Sequence, residues 1–348
     1  MELESVPVLS KQSSYSLLIL LVSLFSCAEL TAQRPTVTAD SILKALENVK
    51  TEPVELPDLG PLVTYKMPPL KSRIWLVAGG HAALWTGTYI ALNKAWYEGY
   101  DRTGFHTFDD LREWNQIDKA GHIWTTYQLG RLSGELWKWT GLNHKKSVWL
   151  GGISAMAFQS IIELQDAYSA EWGFSWSDIA ANTIGAAAYV SQELGWKEQR
   201  IQIKMGYFPY KYPSELKTRA DKLFGSGPAE RILKDYNSQT YWLSANLDRF
   251  FPEAHFPKWL NISAGYSSDI LLGGEKNSWV DGNGQTIDRT DLARTRRYYL
   301  SLDVDLTRIP TRKKWLRTTF QALNAIKIPA PAIEYNNGGK FRWHWLHQ

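Results

Sequence analysis

The hydrophobic pattern of this chain changes period once, near Arg200, from a helical repeat to a two-residue alternation. Four segments before that point are long enough for helices. Residues 74–93 contain no Asp, Glu, Lys or Arg, and residues 117–139 are amphipathic with Arg131 and Glu135 interrupting. Residues 147–162 are uncharged and rich in Gly and Ala, and residues 178–194 repeat that theme with Ala180, Ala181, Gly185, Ala186, Ala187 and Ala188. Small residues let helix backbones approach closely, so a four-helix domain is expected. Two of the four runs approach membrane-spanning length. Each also carries Gly, Ser, Thr, His or Gln, so a buried bundle competes with a bilayer.

Beyond Arg200, residues 298–306 alternate Leu300, Leu302, Val304 and Leu306 with Ser301, Asp303 and Asp305. That predicts a strand with one wet face. Shorter strands are expected at 200–207, 240–247, 260–267 and 341–346, and a lone helix at 313–326 stopped by Pro329 and Pro331. About five strands fall short of the eight that the smallest outer-membrane barrels need, which favours a small antiparallel sheet over a barrel. The fold class is therefore α+β, a four-helix domain followed by a β-rich antiparallel C-terminal part. The expected division is 1–32 signal peptide, 33–70 proline-rich leader, 71–197 helical domain and 198–348 β-rich region.

The signal assignment rests on the apolar run at 17–25, too short to cross a bilayer and followed by small residues. Cleavage after Ala32 would leave Gln33 first and remove the one cysteine, so that no disulfide, thiolate metal site or Cys nucleophile remains. In the competing scheme, Leu24-Phe25-Ser26-Cys27 acts as a lipobox and Cys27 becomes a lipid anchor. Residues 51–61 and 67–69 are punctuated by proline, leaving room for one short helix within 40–49. The 39 basic and 35 acidic residues are spread along the chain, which argues against nucleic acid as a partner. Seventeen Trp and 17 Tyr suit a boundary between water and a greasy phase.

Three constellations in the helical half carry candidate chemistry. Asp118-Lys119-x-x-His122 places a carboxylate and an imidazole one helical turn apart. Glu163-x-x-Asp166 closes the third helix with two acids. Ser175-x-x-Asp178-x-x-x-Asn182-x-x-Gly185 sets Asp178, Asn182 and Gly185 on one stripe, and its start also reads as a capping box. Ionisable groups among uncharged helices are costly unless paired, so Asp118, Lys119, His122, Glu163, Asp166, Asp178 and Asn182 are expected to share one polar cluster. These seven are the candidates for acid–base work. His122, Glu163, Asp166 and Asp178 are the candidates to hold a divalent metal. His81, in the first helix, is free to join.

The ordered set DKxxH, ExxD and GxSxxDxxxNxxG resembles the YfiM-like family of predicted periplasmic lipoproteins, and more distantly the VanZ-like membrane proteins, over residues 75–196. The resemblance implies an envelope protein with a helical domain and, by association, lipoprotein status. Together with the signal segment, the expected address is the periplasmic side of the cell envelope, at the outer membrane or alternatively the inner one, with membrane lipid or an envelope component as partner. It assigns no activity. Two readings stay open: a non-enzymatic envelope module whose polar cluster fixes helix packing, and an envelope hydrolase or metal-binding protein acting on a lipid or glycan. There is no GxSxG, HExxH or phosphate-binding loop to favour the second.

Overall fold

A computed structural model describes residues 69–93, 97 and 101–348. The signal segment with Cys27 and Ala32, and the leader with its expected helix, lie outside the described residues apart from 69–70. The fold is α+β. Four helices come first: α1 (Lys71–Leu92), α2 (Ile117–Trp139), α3 (His144–Asp166) and α4 (Trp176–Gly195). They match the four uncharged or amphipathic segments closely. The Asn143 side chain caps α3 by accepting from the Lys146 amide at 2.9 Å, and Ser175 caps α4 by accepting from the Asp178 amide at 3.0 Å.

The helix α2 is the axis of the bundle, with α3 and α4 pressed against it. Glycine allows both approaches. A Cβ on Gly151 of α3 would lie 2.7 Å from the Gly130 carbonyl oxygen, and one on Gly185 of α4 only 2.4 Å from that of Ile123. Because both obstructions are backbone, neither helix can accept a side chain there without moving. Tyr127, Val148, Tyr189 and Val190 form the core between these helices, joined by Ile203 from the first strand. Among the described residues, α3 is the one helix long and apolar enough to cross a membrane.

Six strands form one antiparallel sheet in the order β1-β2-β3-β6-β7-β8: β1 (Ile201–Tyr207), β2 (Gln239–Asn246), β3 (Leu260–Asp269), β6 (Thr295–Val304), β7 (Ala330–Asn336) and β8 (Phe341–His347). A separate hairpin joins β4 (Ser278–Val280) to β5 (Thr286–Asp288). Its turn is held by Asp281, whose carboxylate accepts from the amides of Asn283 and Gln285. The helices α5 (Ser214–Phe224) and α6 (Pro228–Lys234) between β1 and β2 were not expected, nor was β7. Pro331 disguises β7, yet its ladder with β6 runs only from Ala332 to Asn336, so the missing amide falls outside that pairing.

The polarity of the sheet corrects the expected wet face of 298–306. Ser301, Asp303 and Asp305 are buried, while Leu300 and Leu302 are 51% and 53% exposed. The physical reason is curvature. The sheet curls around its polar side, so that Lys204 of β1 reaches Asp303 of β6 at 2.8 Å with both side chains fully enclosed. Gln202 likewise donates to Asp305 at 2.7 Å. A charge inside is tolerable because it finds an opposite charge or a carbonyl there.

If the α2–α4 crossing depends on the bare backbone at 185, Gly185→Ala should lower stability by about 1–3 kcal/mol through overpacking. Gly79→Ala, in open space on α1, should instead gain up to about 1 kcal/mol from helix propensity. Thermal unfolding followed by far-ultraviolet circular dichroism checks both signs.

Candidate functional site

The start of α2 sets the site. Trp114, Asn115 and Gln116 all have positive φ (48°, 50° and 63°), a conformation that side-chain-bearing residues adopt rarely. Neighbours over-determine it. The Trp114 amide donates to the Gly274 carbonyl at 2.7 Å, Asn115 donates to the Ser268 hydroxyl at 2.8 Å, and the Asn115 carbonyl accepts from Tyr266 and Arg296. This left-handed turn is therefore locked to the sheet region, and it starts α2 abruptly at Ile117. Asp118 and Lys119 consequently face the loop that carries Asp110.

The Lys119 ammonium is the hub. It donates to Asp178 at 2.7 Å, to Asp118 at 2.9 Å and lies 2.6 Å from Asp110. Its side chain is 9% exposed, so three carboxylates from three parts of the chain share one buried cation. The hydroxyls of Ser175 and Ser177 donate to Asp110 at 2.6 and 2.5 Å. Tyr236, from beyond β1, donates to Asp118 at 3.0 Å. Ser175 thus both caps α4 and ties it to the Asp110 loop.

His122 lies one turn further along α2. Its Nδ1 is 3.1 Å from Asn182 Oδ1 and 3.3 Å from Gln159 Nε2. Thr126 and Gln159 donate to the same oxygen at 2.9 and 3.1 Å. Nε2 then faces two acids, Asp178 at 3.5 Å and Asp118 at 3.9 Å. Glu163 is 3.7 Å from Nδ1, 1% exposed, and neither of its oxygens has a hydrogen-bond partner. Asp166 stands at the edge of the group and accepts a hydrogen bond from Tyr97 at 2.5 Å.

Electrostatics divides these acids into two sets. Burial would raise Asp110, but hydrogen bonds from Lys119, Ser175 and Ser177 bring it down to about 2. Burial is likewise outweighed at Asp118, where His122 and Lys119 hold the carboxyl below its ordinary range. Burial and repulsion from Asp178, Asp166 and Asp118 push Glu163 up to about 9. Burial and Asp118 raise Asp178 to about 7 against the pull of His122 and Lys119, and burial raises Asp166 to about 6. Near neutrality Asp110 and Asp118 are ionised beside Lys119, Asp178 is close to its midpoint, and Glu163 is uncharged.

Six of the seven candidates, Asp118, Lys119, His122, Glu163, Asp178 and Asn182, meet in one place. Asp166 borders them through its electrostatic coupling to His122 and Asp118. Among the described residues, the group able to converge on a cation is Asp118, His122 and Asp178, whose ligand atoms lie within 4.8 Å of one another. Glu163 faces the other ring nitrogen and Asp166 is engaged by Tyr97, so that set differs from the one expected. His81 does not join: it is bonded to Ser133 at 3.0 Å and stacked on Trp137. Gln159 and Thr126, each one turn from a candidate, were legible from helical spacing. Asp110, Tyr97 and Tyr236 lie outside the motif-bearing helices and left no such signal.

A family model described as a predicted periplasmic lipoprotein (DUF2279) matches residues 107–192. The match begins just before Asp110 and ends within α4, so it encloses the hub lysine and every acid and amide around it, while Tyr97 and Tyr236 lie outside it. No curated protein and no solved structure matches the chain.

Lys119→Met would leave three buried carboxylates without their cation. It should lower stability at pH 7 by about 3–5 kcal/mol, the usual cost of removing one partner from a buried ion pair, as read by urea unfolding. Glu163 supplies a pH test. An acid with a raised folded pKa favours the native state until the unfolded chain ionises, so stability should fall between about pH 4.5 and about 9. Glu163→Gln, which mimics the protonated acid, should flatten that part of the stability–pH curve; an unchanged slope would assign the dependence to other groups.

Proposed function

We propose that this chain is an exported, membrane-associated protein of the cell envelope, on the periplasmic side and at the outer membrane rather than the inner, whose helical domain is organised by a buried ion cluster rather than by a catalytic centre. The address is supported by the likeness of residues 107–192 to a predicted periplasmic lipoprotein family, and by motifs that resemble the YfiM-like and, more distantly, the VanZ-like proteins. One observation carries the structural role. Asp118 and Asp178, the carboxylates beside His122 Nε2, are already committed to Lys119 at 2.9 and 2.7 Å. An ammonium so placed neutralises the acids and ties α2, α4 and the Asp110 loop together.

The second reading, a metal-dependent hydrolase acting on a lipid or glycan, is favoured by the convergence of Asp118, His122 and Asp178. Those acids and the Nε2 of His122 would be the ligands, and the ion would polarise a bond or activate water. Lys119 competes for the same oxygens, which sets the two readings against each other.

Metal analysis decides between them. The purified chain should carry no stoichiometric divalent metal, and its melting temperature should not change with a chelator. Metal bound one-to-one in the unsubstituted protein and lost in His122→Ala would overturn the structural role. Mass spectrometry of the amino terminus tests the address: a chain beginning at Gln33, or at a lipidated Cys27, supports export, whereas an unprocessed chain in the cytoplasmic fraction refutes it.

A further inference from the structure

The outer face of the sheet is ordered in rows that register across the strands. Leu243 pairs with Ala264, Ala264 with Leu300, Leu300 with Ile333 and Ile333 with Trp343, one aliphatic row across five strands closed by an indole. The next row on the same face is aromatic throughout: Tyr241, Tyr266, Tyr298, Tyr335 and Phe341. The start of α2 covers its first two rings, with Tyr241 buried against Ile117 and Tyr266 bonded to Asn115, so the open part is Tyr298, Tyr335 and Phe341. Beyond it, Ser268 pairs with Arg296. On the other side of the aliphatic row come Ala245, Ile262 and Leu302, then Leu260 with Val304. Along the strands, polar side chains give way to phenol rings and then to a charge-free apolar band. Leu243, Leu300, Ile333 and Trp343 are each about half exposed, and Phe341 is 75% exposed.

The opposite face holds the charges. Lys204, Asp303, Glu334 and Lys327 all point inward and are 0–1% exposed. A sheet in water has the reverse arrangement, so its apolar face would have to be covered by something else. The backbone at the first strand is also occupied. The Met205 amide donates to the Ala325 carbonyl at 3.1 Å, and its carbonyl accepts from Lys327 at 2.9 Å. The chain end returns to β1, where a Cβ on Gly206 would fall 2.0 Å from the Gln348 carbonyl carbon. Curling that engages the first edge removes unpaired amides from an apolar setting, as a lipid phase requires.

From these observations, and resting on the envelope reading above, we infer that the part of this face left open by α2 is a lipid-contact surface, with Tyr298, Tyr335 and Phe341 at headgroup depth and the exposed Leu243, Leu300, Leu302, Ile333 and Trp343 among acyl chains. The depth order identifies lipid as the occupant. A protein partner or second copy needs an apolar patch with a polar rim, whereas a bilayer needs aromatic rings in one plane between the polar and aliphatic zones. From Tyr266 to Leu260 the strand advances about 20 Å, enough to pass through one leaflet of a hydrocarbon core about 30 Å thick.

The test places an environment-sensitive thiol fluorophore at Leu300→Cys, Ile333→Cys and, on the exposed hairpin turn, Asn283→Cys. The unsubstituted chain treated with the same label gives the background from Cys27. Each labelled protein is reconstituted into phosphatidylethanolamine–phosphatidylglycerol vesicles, with circular dichroism identical to the unsubstituted chain as the condition for use. Labels at 300 and 333 should shift to the blue and lose emission when doxyl-labelled phosphatidylcholine is included, while aqueous iodide leaves them unchanged. The label at 283 should respond to iodide alone. Quenching of 300 and 333 by iodide would overturn the inference, as would a blue shift insensitive to doxyl lipid, which is the signature of a protein covering this face. These labels report on lipid whether or not the helical cluster binds metal, and terminal processing reads the address separately.

Discussion

The contact of Lys119 with Asp110, Asp118 and Asp178 is the constraint on which the helical half depends. Three carboxylates gathered below the surface repel one another, and burial raises the cost of each. One ammonium at hydrogen-bonding distance from all three converts that repulsion into a tie. Because the acids arise from the loop before α2, from α2 itself and from α4, satisfying the lysine also fixes how those parts meet. Glycine at 185 brings α4 close to α2, the crossing that Lys119 bridges through Asp178.

The second layer, around His122, follows from the first. With Asp118 and Asp178 drawn toward Lys119, the imidazole presents Nε2 to both and turns Nδ1 to the Asn182 carbonyl. Gln159 and Thr126 complete that oxygen's shell, and Glu163, with no donor left to it, is uncharged at neutral pH. In the β-rich half the same logic runs at larger scale: Lys204 and Asp303 inside the curl let the polar faces of β1 and β6 turn inward, so the apolar face of β1 meets the helices and that of β6 is exposed. Both halves place paired charge inside, and in both the polar pattern along the chain marks the interior.

Much of this was legible in the residues. The uncharged runs located the four helices because burial of helix faces demands them, and Ser175 announced the start of α4 because a hydroxyl there satisfies a free amide. The motif spacing also gathered most of the site, since side chains one turn apart share a face. Less legible was anything supplied from a distance. Asp110 and Tyr236 reach the cluster through loops whose course no periodicity encodes, and the strand β7 was hidden by Pro331, whose missing amide matters only in a ladder that the residue does not enter.

The amino-acid order by itself determined the class of fold, the change of period near Arg200 and the types of side chain available to the site. Alternation in 298–306 also determined that one face of that strand is apolar and the other polar. Which face would be inside was decided only by tertiary structure, because a two-residue repeat is the same whether the sheet bends toward its polar side or its apolar side. The curl that brings Lys204 onto Asp303 made that choice. Likewise, the motifs supplied acids, a histidine and a lysine, but only the packing of α2 against α4 and the Asp110 loop decided that the lysine would be the cation they share.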